Sequence, residues 1–260
     1  MSLSTLFLGQ HLIELEQVDS TNVYARQLLE ASSGKSLEGT VVSALYQHAG
    51  KGQRGASWAG EPGMNIMMSL LFYPDFLTPR EQFYLNMAVS LGVYDFMKAL
   101  LTSLDVNVEN RLRLKWPNDL YFENHKLGGI LIENTIRVGY IQNAIVGIGI
   151  NLNQLDFQNI SSQATSVRSI TGKEIDRMLA MHSAFMNIEA RYLQLKAKRF
   201  DKIRADYLAV LYRYQVPAAF HTRAGLIKGQ IVGVDEDGRL GISVEDKVLY
   251  FDLKEIRFVF

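Results

Sequence analysis

A glycine-rich, positively charged segment between two apolar segments constrains the fold of this chain more than any other feature. Residues 40–46 (TVVSALY) and 65–73 (NIMMSLLFY) are rich in β-branched and apolar side chains, so both are predicted to be buried strands. Residues 46–58 between them read YQHAGKGQRGASW. Glycine lets a backbone approach a ligand closely, and successive N–H groups beside cations form a concave anion site. We therefore expect a phosphate- or carboxylate-binding loop, with a solvated surface loop as the alternative on this segment alone.

The loop lacks the two best-known phosphate-binding patterns. No Gly-Lys-Ser/Thr ends it, so it is not a Walker loop, and the spacing and following helix of the dinucleotide-binding fingerprint are absent. The loop becomes informative only beside two other segments, KWPNDL at residues 115–120 and KLGGILIE at residues 126–133.

The composition excludes several classes of protein. A chain of 260 residues, about half of them apolar, suits one large domain plus a small one. Zero net charge argues against a broad nucleic-acid-binding surface, although not against a local basic site. The absence of cysteine excludes disulfides and thiolate chemistry and is compatible with a cytoplasmic location, which we predict. No signal peptide, membrane span or histidine metal-ligand spacing is visible.

A short polar motif follows the first predicted strand. Residues 11–17 predict that strand, and DSTN at residues 19–22 then starts a helix that is expected to bury Val23, Leu28 and Leu29. On its own, the motif is best explained as a helix cap. Its hydroxyl and amide groups would also suit hydrogen bonds to a small polar ligand.

The middle of the chain predicts further strands around a hairpin. Residues 112–116 predict a strand that Pro117 interrupts, because proline lacks a backbone donor. Residues 121–122 and 127–133 predict the two arms of the hairpin, and residues 139–150 predict another apolar strand. If these strands share one sheet, four polar side chains converge near the glycine-rich loop: Asn118, Asp119, Lys126 and Asn151.

Helices and a C-terminal change of pattern complete the chain. Pro79 opens a long helix, residues 164–171 are predicted to be a loop before a second long helix, and residues 200–211 predict a third. From residue 213 onward, short apolar runs alternate with turns such as Asp237-Gly238, a strong hairpin signal. Residues 213–260 therefore predict a small antiparallel barrel as a separate domain.

Taken together, these motifs resemble the biotin–protein ligases, the BirA and holocarboxylase synthetase family. The resemblance extends over nearly the whole chain, and several motifs in order are far more specific than any one of them. The motifs are DSTN at 19–22, YQxAGxGxRG at 46–55 with Trp58, KWPND at 115–119, KLGGIL at 126–131, GIGINLN at 147–153 and the small-barrel tail.

The resemblance implies both a fold and a reaction. The fold is α+β, with a mixed-sheet catalytic domain similar to class II aminoacyl-tRNA synthetases in residues 1–212 and an SH3-like β-barrel in residues 213–260. In the implied reaction, biotin is activated with ATP to biotinyl-5′-AMP, pyrophosphate is released, and biotin then passes to a lysine of an acceptor protein. Mg²⁺ is expected on the ATP phosphates, without a predicted protein ligand.

The resemblance also implies partners. The expected acceptor is a biotin carboxyl carrier domain, and a homodimer is a further expectation. Because DSTN begins at residue 19, we do not expect the DNA-binding helix-turn-helix domain that some members carry.

Residue roles follow from the same resemblance. The predicted catalytic residues are Lys126, Asp119, Lys51 and Arg54. The predicted biotin-binding residues are Ser20, Thr21, Asn22, Gln47, Gly50, Lys51, Lys126 and Gly129. The predicted ATP- and adenylate-binding residues are Gly52, Gln53, Arg54, Trp58, Lys115, Asn118 and Asn151. Lys126 is expected beside the biotin carboxylate and the α-phosphate, Asp119 is expected to orient or deprotonate the acceptor amine, and Trp58 is expected to stack on adenine, with core packing as its alternative.

The loop departs from the Gly-Arg-Gly-Arg-Arg-Gly pattern that is common in bacterial members. Lys51 and Gln53 replace the first two arginines, and lysine cannot form the bidentate fork of arginine. We therefore expect biotinyl-AMP to leave this chain more readily. Two other functions stay open: a lipoate-type acyl-protein ligase, and a non-catalytic RNA-binding module, which the neutral charge and the lack of an aromatic-basic pattern disfavour.

Overall fold

The computed structural model describes residues 4–32, 36–157 and 163–259, without the side chain of Arg54. The strands of its first sheet are β1 (Leu12–Val18), β2 (Val41–Gln47), β3 (Ile66–Phe72), β4 (Leu112–Lys115), β5 (Asp119–Phe122), β6 (His125–Arg137) and β7 (Tyr140–Ile150). Its α-helices are α1 (Thr21–Ala31), α2 (Gln82–Ser103), α3 (Val167–Thr171), α4 (Arg177–Lys196) and α5 (Phe200–Ala209). The predicted strands and long helices of this part of the chain are confirmed to within a few residues.

The seven strands form one mixed sheet in the order β1-β2-β3-β7-β6-β5-β4. Strands β1 and β2 are parallel, and the other neighbours are antiparallel. Two parallel strands need a crossover connection, and α1 supplies it. The predicted α+β class is therefore confirmed. Three strands separate β2, which the glycine-rich loop follows, from β5.

The two faces of the sheet are covered differently. Helices α2 and α4 pack on one face, and they approach closely because Gly92 lacks a side chain; a Cβ there would lie 2.6 Å from Cα of Ile188. On the other face, Ala25 of α1 packs in a small cluster with Val42, Leu71 and Ile145. Beyond α1, this second face carries the polar residues and glycines that form the cavity described below.

Helix α1 buries different side chains from those predicted. Thr21, Asn22 and Ala25 are buried, whereas Val23, Leu28 and Leu29 are only half-buried. Apolar periodicity favoured the aliphatic side chains, but the first turn of α1 borders a polar part of the sheet. The side chains that turn inward there are the ones that can form hydrogen bonds.

Two other helix boundaries also differ from the predictions. Residues 164–171, predicted to be a loop, contain the short helix α3, whose N-cap hydroxyl on Ser166 accepts a hydrogen bond from the Ser169 N–H. Pro79 opens a 3₁₀ turn, Pro79–Glu81, so that α2 starts three residues later than predicted. Thr78 and Glu81 form a capping box in front of that turn.

The C-terminal part of the chain forms a second, antiparallel sheet. Its strands are β8 (Pro217–Thr222), β9 (Gly225–Val234), β10 (Leu240–Val244), β11 (Lys247–Phe251) and β12 (Ile256–Phe258), in the order β11-β10-β9-β8-β12. Strand β8 had no clear apolar pattern and was not predicted. The sheet is compatible with the predicted SH3-like barrel, and the domain boundary at residue 213 stays a prediction.

The second sheet packs against the β4 side of the first. The Trp116 indole N–H donates to the carbonyl oxygen of Gly238 at 2.9 Å. Gly238 has a φ of +85° and lies against the Phe83 ring, 2.5 Å from where a Cβ would stand. Arg204 and Arg213 donate to the carbonyl oxygens of residues 234 and 259. Within the described residues, no helix is both long and apolar enough to cross a bilayer.

Candidate active site

A cavity of about 430 Å³ lies on the face of the sheet that α1 covers only in part. It is lined by the start of α1, the end of β2, the glycine-rich loop, the turn between β4 and β5, and the middle of β6 and β7. A segment of the second sheet, residues 253–258, completes the wall. The topology thus brings motifs that are far apart in sequence to one place.

Lys126 and Asp119 form an ion pair in this cavity. Nζ of Lys126 is 2.7 Å from Oδ1 of Asp119. A Cβ at Gly129 would lie 3.2 Å from each of these two atoms, so the absence of a side chain there leaves room for the pair. The backbone of Lys126 is fixed by hydrogen bonds to the Gln163 carbonyl and from the Thr165 N–H. The lysine therefore presents a positioned ammonium group.

Neutral hydrogen-bonding groups occupy another part of the cavity. Oε1 of Gln47 accepts hydrogen bonds from the backbone N–H of Thr21, at 2.7 Å, and from its hydroxyl, at 3.1 Å. The buried Ser20 hydroxyl lines the cavity beside them. Ser69 of β3 lies 2.7 Å from Oγ1 of Thr21 and 2.6 Å from Oδ1 of Asn22. The polar motif is therefore part of a hydrogen-bond network as well as the start of a helix.

Asn22 carries this network to β6 and β7. Its amide nitrogen donates to Glu133 at 2.7 Å, and Glu133 pairs with Arg26 at 2.6 Å. A Cβ at Gly147 would lie 2.4 Å from Oδ1 of Asn22, so the glycine makes room for the amide. Ser69 and Glu133 were not predicted. A lone polar residue in the otherwise apolar run IMMSLLF was the signal that could have identified Ser69.

The glycine-rich loop folds into a small hairpin. The Trp58 N–H donates to the Gly50 carbonyl at 2.8 Å, and the Gly52 N–H donates to the Ala56 carbonyl at 2.7 Å. A Cβ at Gly50 would lie 2.3 Å from the carbonyl oxygen of Trp58, so glycine is required there for close approach. Gly55 is favoured for a different reason, because its φ is +84°, a backbone conformation that glycine adopts without strain.

Trp58 forms part of the cavity wall. Its ring lies on Gly149 of β7, where a Cβ would stand 2.3 Å from Cε2, and Nζ of Lys126 is 5.9 Å from the ring centroid. Its indole nitrogen is buried without a hydrogen-bond partner among the described atoms. The half-buried ring lines the cavity, and its predicted stacking on adenine stays a prediction.

The cavity is strongly cationic although the chain has no net charge. Among its described lining residues, the charged side chains other than Asp119 are all basic: Lys51, Lys115, Lys126, Lys254 and Arg257. Burial lowers the pKa of Lys115, while the nearby Asp119 carboxylate opposes that shift. Nζ of Lys115 also lies 5.0 Å from the centroids of both the Tyr121 and Phe258 rings. Such a cavity suits an anionic ligand.

Three of the predicted site residues need a correction or a limit. Asn151 does not line the described cavity, because its amide nitrogen donates to the Thr165 carbonyl and its side chain is buried at the end of β7. Gly50 is not among the described lining residues, and the absence of a side chain there lets the two arms of the loop hairpin approach each other. The side chain of Arg54 lies outside the described part of the structure.

The remaining predicted residues do line the cavity. They are Ser20, Thr21, Asn22, Gln47, Lys51, Gly52, Gln53, Trp58, Lys115, Asn118, Asp119, Lys126 and Gly129. Asn118 is buried, and its amide donates to the Ile130 carbonyl. Within the described residues, no group of three or more His, Cys, Asp or Glu side chains is placed to hold a metal ion.

The sequence of residues 14–151 matches the biotin/lipoate A/B protein ligase family. The chain belongs to this family. The matched segment spans more than half of the chain and contains the cavity motifs from the DSTN turn to the end of β7. Residues 253–258, which complete the cavity, lie outside it.

Individual relatives and solved structures show which members of this family the chain resembles. The chain is 31% identical over 235 residues to the biotin–[acetyl-CoA-carboxylase] ligase of Paracoccus denitrificans, covering 87% of this chain and 91% of that one. It is 29% identical over 250 residues to the bifunctional ligase/repressor BirA of Bacillus subtilis, covering 95% and 73%. The biotin protein ligase of Aquifex aeolicus, solved with biotin and ATP, has a TM-score of 0.76 and 27% identity over 95% of this chain and 98% of that one. The predicted fold and the predicted family are confirmed.

Proposed function

We propose that this chain is an ATP-dependent biotin–protein ligase. One observation carries the proposal: a single cavity joins neutral hydrogen-bonding groups at Ser20, Thr21 and Gln47 to the positioned cation of Lys126. A ligand with a neutral polar ring and a carboxylate tail needs both features. The names of the relatives from Paracoccus denitrificans and Mycobacterium tuberculosis, both biotin–[acetyl-CoA-carboxylase] ligases, support the same substrate.

The reaction has two steps, and each places a demand on the cavity. A carboxylate oxygen of biotin attacks the α-phosphorus of ATP, and the bond from that phosphorus to the bridging oxygen of the β-phosphate breaks to release pyrophosphate. The acceptor lysine amine then attacks the acyl carbon, and AMP leaves. Because the first step joins two anions, it needs cations placed before reaction.

Lys126 is the residue that we assign to the reacting centre. Its ammonium group is paired with Asp119. When the biotin carboxylate and α-phosphate arrive, Lys126 exchanges this partner for them and stabilises the charge that develops between them. Asp119 is then available to orient the acceptor amine and to accept its proton. The ion pair therefore holds Lys126 at the position where the first step uses it and Asp119 at the position where the second step uses it.

The biotin ring binds at the neutral end in this proposal. Gln47 uses its amide oxygen on Thr21, so its amide nitrogen is the group that would donate to the biotin ring in this proposal. Ser20, Thr21 and Asn22 supply further polar groups to the ureido ring, and Lys51 on the loop hairpin closes over the carboxylate. Gly50 acts indirectly, by letting the hairpin fold.

The nucleotide binds between the loop and the β4–β5 turn in this proposal. Trp58 stacks on adenine and gains a partner for its buried indole N–H. Gly52, Gln53, Arg54, Lys115 and Asn118 contact the phosphates and ribose, and Asn151 acts only by holding residue 165. Mg²⁺ bound to ATP would neutralise phosphate charge. Asp119, the one carboxylate among the described lining residues, is paired with Lys126, which suits a metal held mainly by the nucleotide.

The acceptor that fits this reaction is a biotin carboxyl carrier domain. Its target lysine would enter the cavity beside Asp119. A cytoplasmic site of action, with which the cysteine-free sequence is compatible, is part of the proposal. A homodimer is also part of it and rests on the resemblance alone. The absence of a DNA-binding domain stays a prediction.

ATP–pyrophosphate exchange tests the proposal directly. Wild type is expected to exchange label only when biotin is present, and Lys126→Ala is expected to lose about 100-fold or more of that activity. Lys98→Ala, which removes an exposed lysine on α2, is the matched control and is expected to behave like wild type. Lipoate replaces biotin in a parallel assay. Exchange with lipoate alone would favour the lipoate ligase, and exchange with neither acid would contradict the proposal.

A further inference from the structure

Two polar residues outside the cavity wall are joined to it by hydrogen bonds. Neither Ser69 of β3 nor Glu133 of β6 is among the described lining residues, although both are bonded to residues that are. Four oxygen atoms form a continuous chain of close contacts, which are, in order, Oε1 of Gln47, Oγ1 of Thr21, Oγ of Ser69 and Oδ1 of Asn22. The direction of each hydrogen bond in this chain therefore depends on its neighbours.

Glu133 fixes the orientation of the Asn22 amide. An ionised carboxylate can only accept hydrogen bonds, and Glu133 is paired with the Arg26 guanidinium at 2.6 Å. The group of Asn22 that lies 2.7 Å from Oε2 of Glu133 must therefore be the amide nitrogen. Oδ1 of Asn22 consequently lies against Ser69, at 2.6 Å, and the Ser69 hydroxyl has to donate its single proton to it.

This arrangement leaves Thr21 without a proton for a ligand. The three contacts along the chain are 3.1, 2.7 and 2.6 Å long, but only its two hydroxyl groups carry a proton. Since Ser69 donates to Asn22, the Thr21 proton must bridge the 2.7 Å contact with Ser69, with a smaller share for Gln47 at 3.1 Å. The Gln47 oxygen also has the Thr21 N–H at 2.7 Å. Towards the cavity, the Thr21 hydroxyl can therefore only accept a hydrogen bond.

We propose that Ser69 and Glu133 are positioning residues that hold the Thr21 hydroxyl as an acceptor and so select a ligand ring with an N–H group there. This inference rests on the proposed function, which brings the biotin ureido ring, with its two N–H groups, to Thr21. A ligand with an acceptor at this position would have to draw the Thr21 proton away from Ser69. Two oxygens would then lie 2.7 Å apart with no proton between them.

Cyclic carbamate analogues of biotin test this selection. In each of two analogues, one ring N–H of the ureido group is replaced by an oxygen atom, which changes a donor into an acceptor with little change in size. Wild type is expected to bind at least one of them about 30-fold more weakly than biotin, because a hydrogen bond is lost and two acceptors face each other. Calorimetric titration in the absence of ATP measures all three affinities.

Ser69→Ala and Glu133→Gln are expected to remove this discrimination in different ways. Without the Ser69 oxygen, the Thr21 hydroxyl can turn its proton to an acceptor on the ligand. With a neutral amide at position 133, the Asn22 amide can turn over, donate to Ser69 and reverse the direction of the chain. In both variants the disfavoured carbamate should bind more tightly than it binds to wild type, and its disadvantage relative to biotin should fall to about threefold or less. A merely structural role for either residue would weaken the binding of all three ligands alike.

The face of the sheet that α4 covers provides matched controls. Ser43 of β2 is also a fully buried strand serine; Arg177 of α4 donates to it at 3.0 Å and pairs with Glu14 at 2.7 Å. Neither Ser43 nor Glu14 is among the described lining residues. Ser43→Ala and Glu14→Gln therefore make the same chemical changes in a similar network away from the cavity. Both are expected to keep the discrimination of wild type.

Binding and exchange together separate this inference from the proposed function. The inference is overturned if wild type binds both carbamates within about threefold of biotin, if Ser69→Ala and Glu133→Gln keep the discrimination, or if the controls lose it equally. Discrimination that wild type shows and both variants lose supports the inference even if wild type has no biotin-dependent exchange, a result that would remove the ligase alone. Normal exchange without discrimination supports the ligase and removes the inference.

Discussion

Two glycines of β7 each support a different end of the cavity. Gly149 lies under the Trp58 ring and Gly147 lies under the Asn22 amide, both with too little space for a Cβ. They are two residues apart on one strand, so their faces are the same and their backbone environments are similar. What differs is the side chain above each one. This pair allows the ends of the cavity that we propose for adenine and for biotin to be disturbed one at a time.

We expect Gly149→Ala and Gly147→Ala to affect different substrates, the first mainly the KM for ATP and the second mainly the KM for biotin. A methyl group at 149 must displace Trp58, so the KM for ATP should rise about tenfold with a smaller change for biotin. A methyl group at 147 must displace Asn22, so the KM for biotin should rise more than that for ATP. Steady-state exchange kinetics measure both constants, and each variant serves as the control for the other. Equal effects of both variants on both substrates would contradict the separation of the two ends.

Gln53 is the residue of the loop that departs most from an arginine-rich pattern. It lines the cavity, so a guanidinium group at this position could reach a bound adenylate. Gln53→Arg is expected to slow the dissociation of biotinyl-AMP about tenfold, because arginine adds charge-assisted hydrogen bonds that an amide cannot form. Release of radiolabelled intermediate from the purified complex measures this rate. Gln53→Met controls for side-chain size, and an unchanged rate in the arginine variant would reject the idea.

At the scale of elements, the contact between β4 and the β9–β10 turn positions the cavity wall. Trp116 donates to the Gly238 carbonyl, and Gly238 packs on the Phe83 ring of α2. Both contacts lie between the two sheets. They therefore set the distance between the β4 edge and the segment that carries Lys254 and Arg257.

Gly238→Ala is expected to move that wall. The new methyl group meets the Phe83 ring, so the variant should lose about 1–3 kcal/mol from overpacking beyond the cost of a non-glycine residue at positive φ, and its KM for ATP should rise. Gly172→Ala is the matched control, because φ there is +71° and nothing lies within 4 Å of the new Cβ. Thermal unfolding and exchange kinetics of both variants make the comparison. A KM for ATP that rises equally in both would show that backbone strain alone is responsible.

At the scale of the whole molecule, a neutral chain concentrates positive charge in one cavity. Equal numbers of acidic and basic residues give zero net charge, while the described cavity wall has five basic side chains and one acidic one. Long-range attraction of nucleotides by the whole protein is therefore weak. Attraction of a nucleotide arises from the cavity itself and acts only within about a Debye length of it. The strength of this attraction must therefore depend on ionic strength.

We expect the KM for ATP to rise when the ionic strength increases from about 0.05 to 0.3 M, because the Debye length falls over this range. The KM for biotin, which carries one negative charge, should rise less. Lys254→Gly should show a shallower salt dependence for ATP than wild type, since it has one cation fewer in the wall. Exchange rates at a series of NaCl concentrations measure this, and parallel salt curves for the two substrates would argue against a local polyphosphate site.

Local sequence patterns were sufficient for most of the elements and for much of the site. β-Branched runs predicted the buried strands, and the motifs around Gln47, Asp119 and Lys126 predicted residues that do line one cavity. These predictions succeed because strand formation and loop chemistry depend mainly on neighbouring residues. The same local reasoning failed for α1, where a polar sheet surface turned Thr21 and Asn22 inward, and for α3.

The amino-acid sequence by itself determined most of the strands, the glycine-rich loop and the family to which the chain belongs. Only the tertiary structure decided that Ser69 joins the polar network, that Trp58 rests on Gly149 and that Asn151 turns away from the cavity. It also decided that the second sheet brings Lys254 to the same cavity. These contacts depend on strand order, register and the packing of one sheet against the other, which arise from long-range burial and leave no periodic pattern in the local sequence.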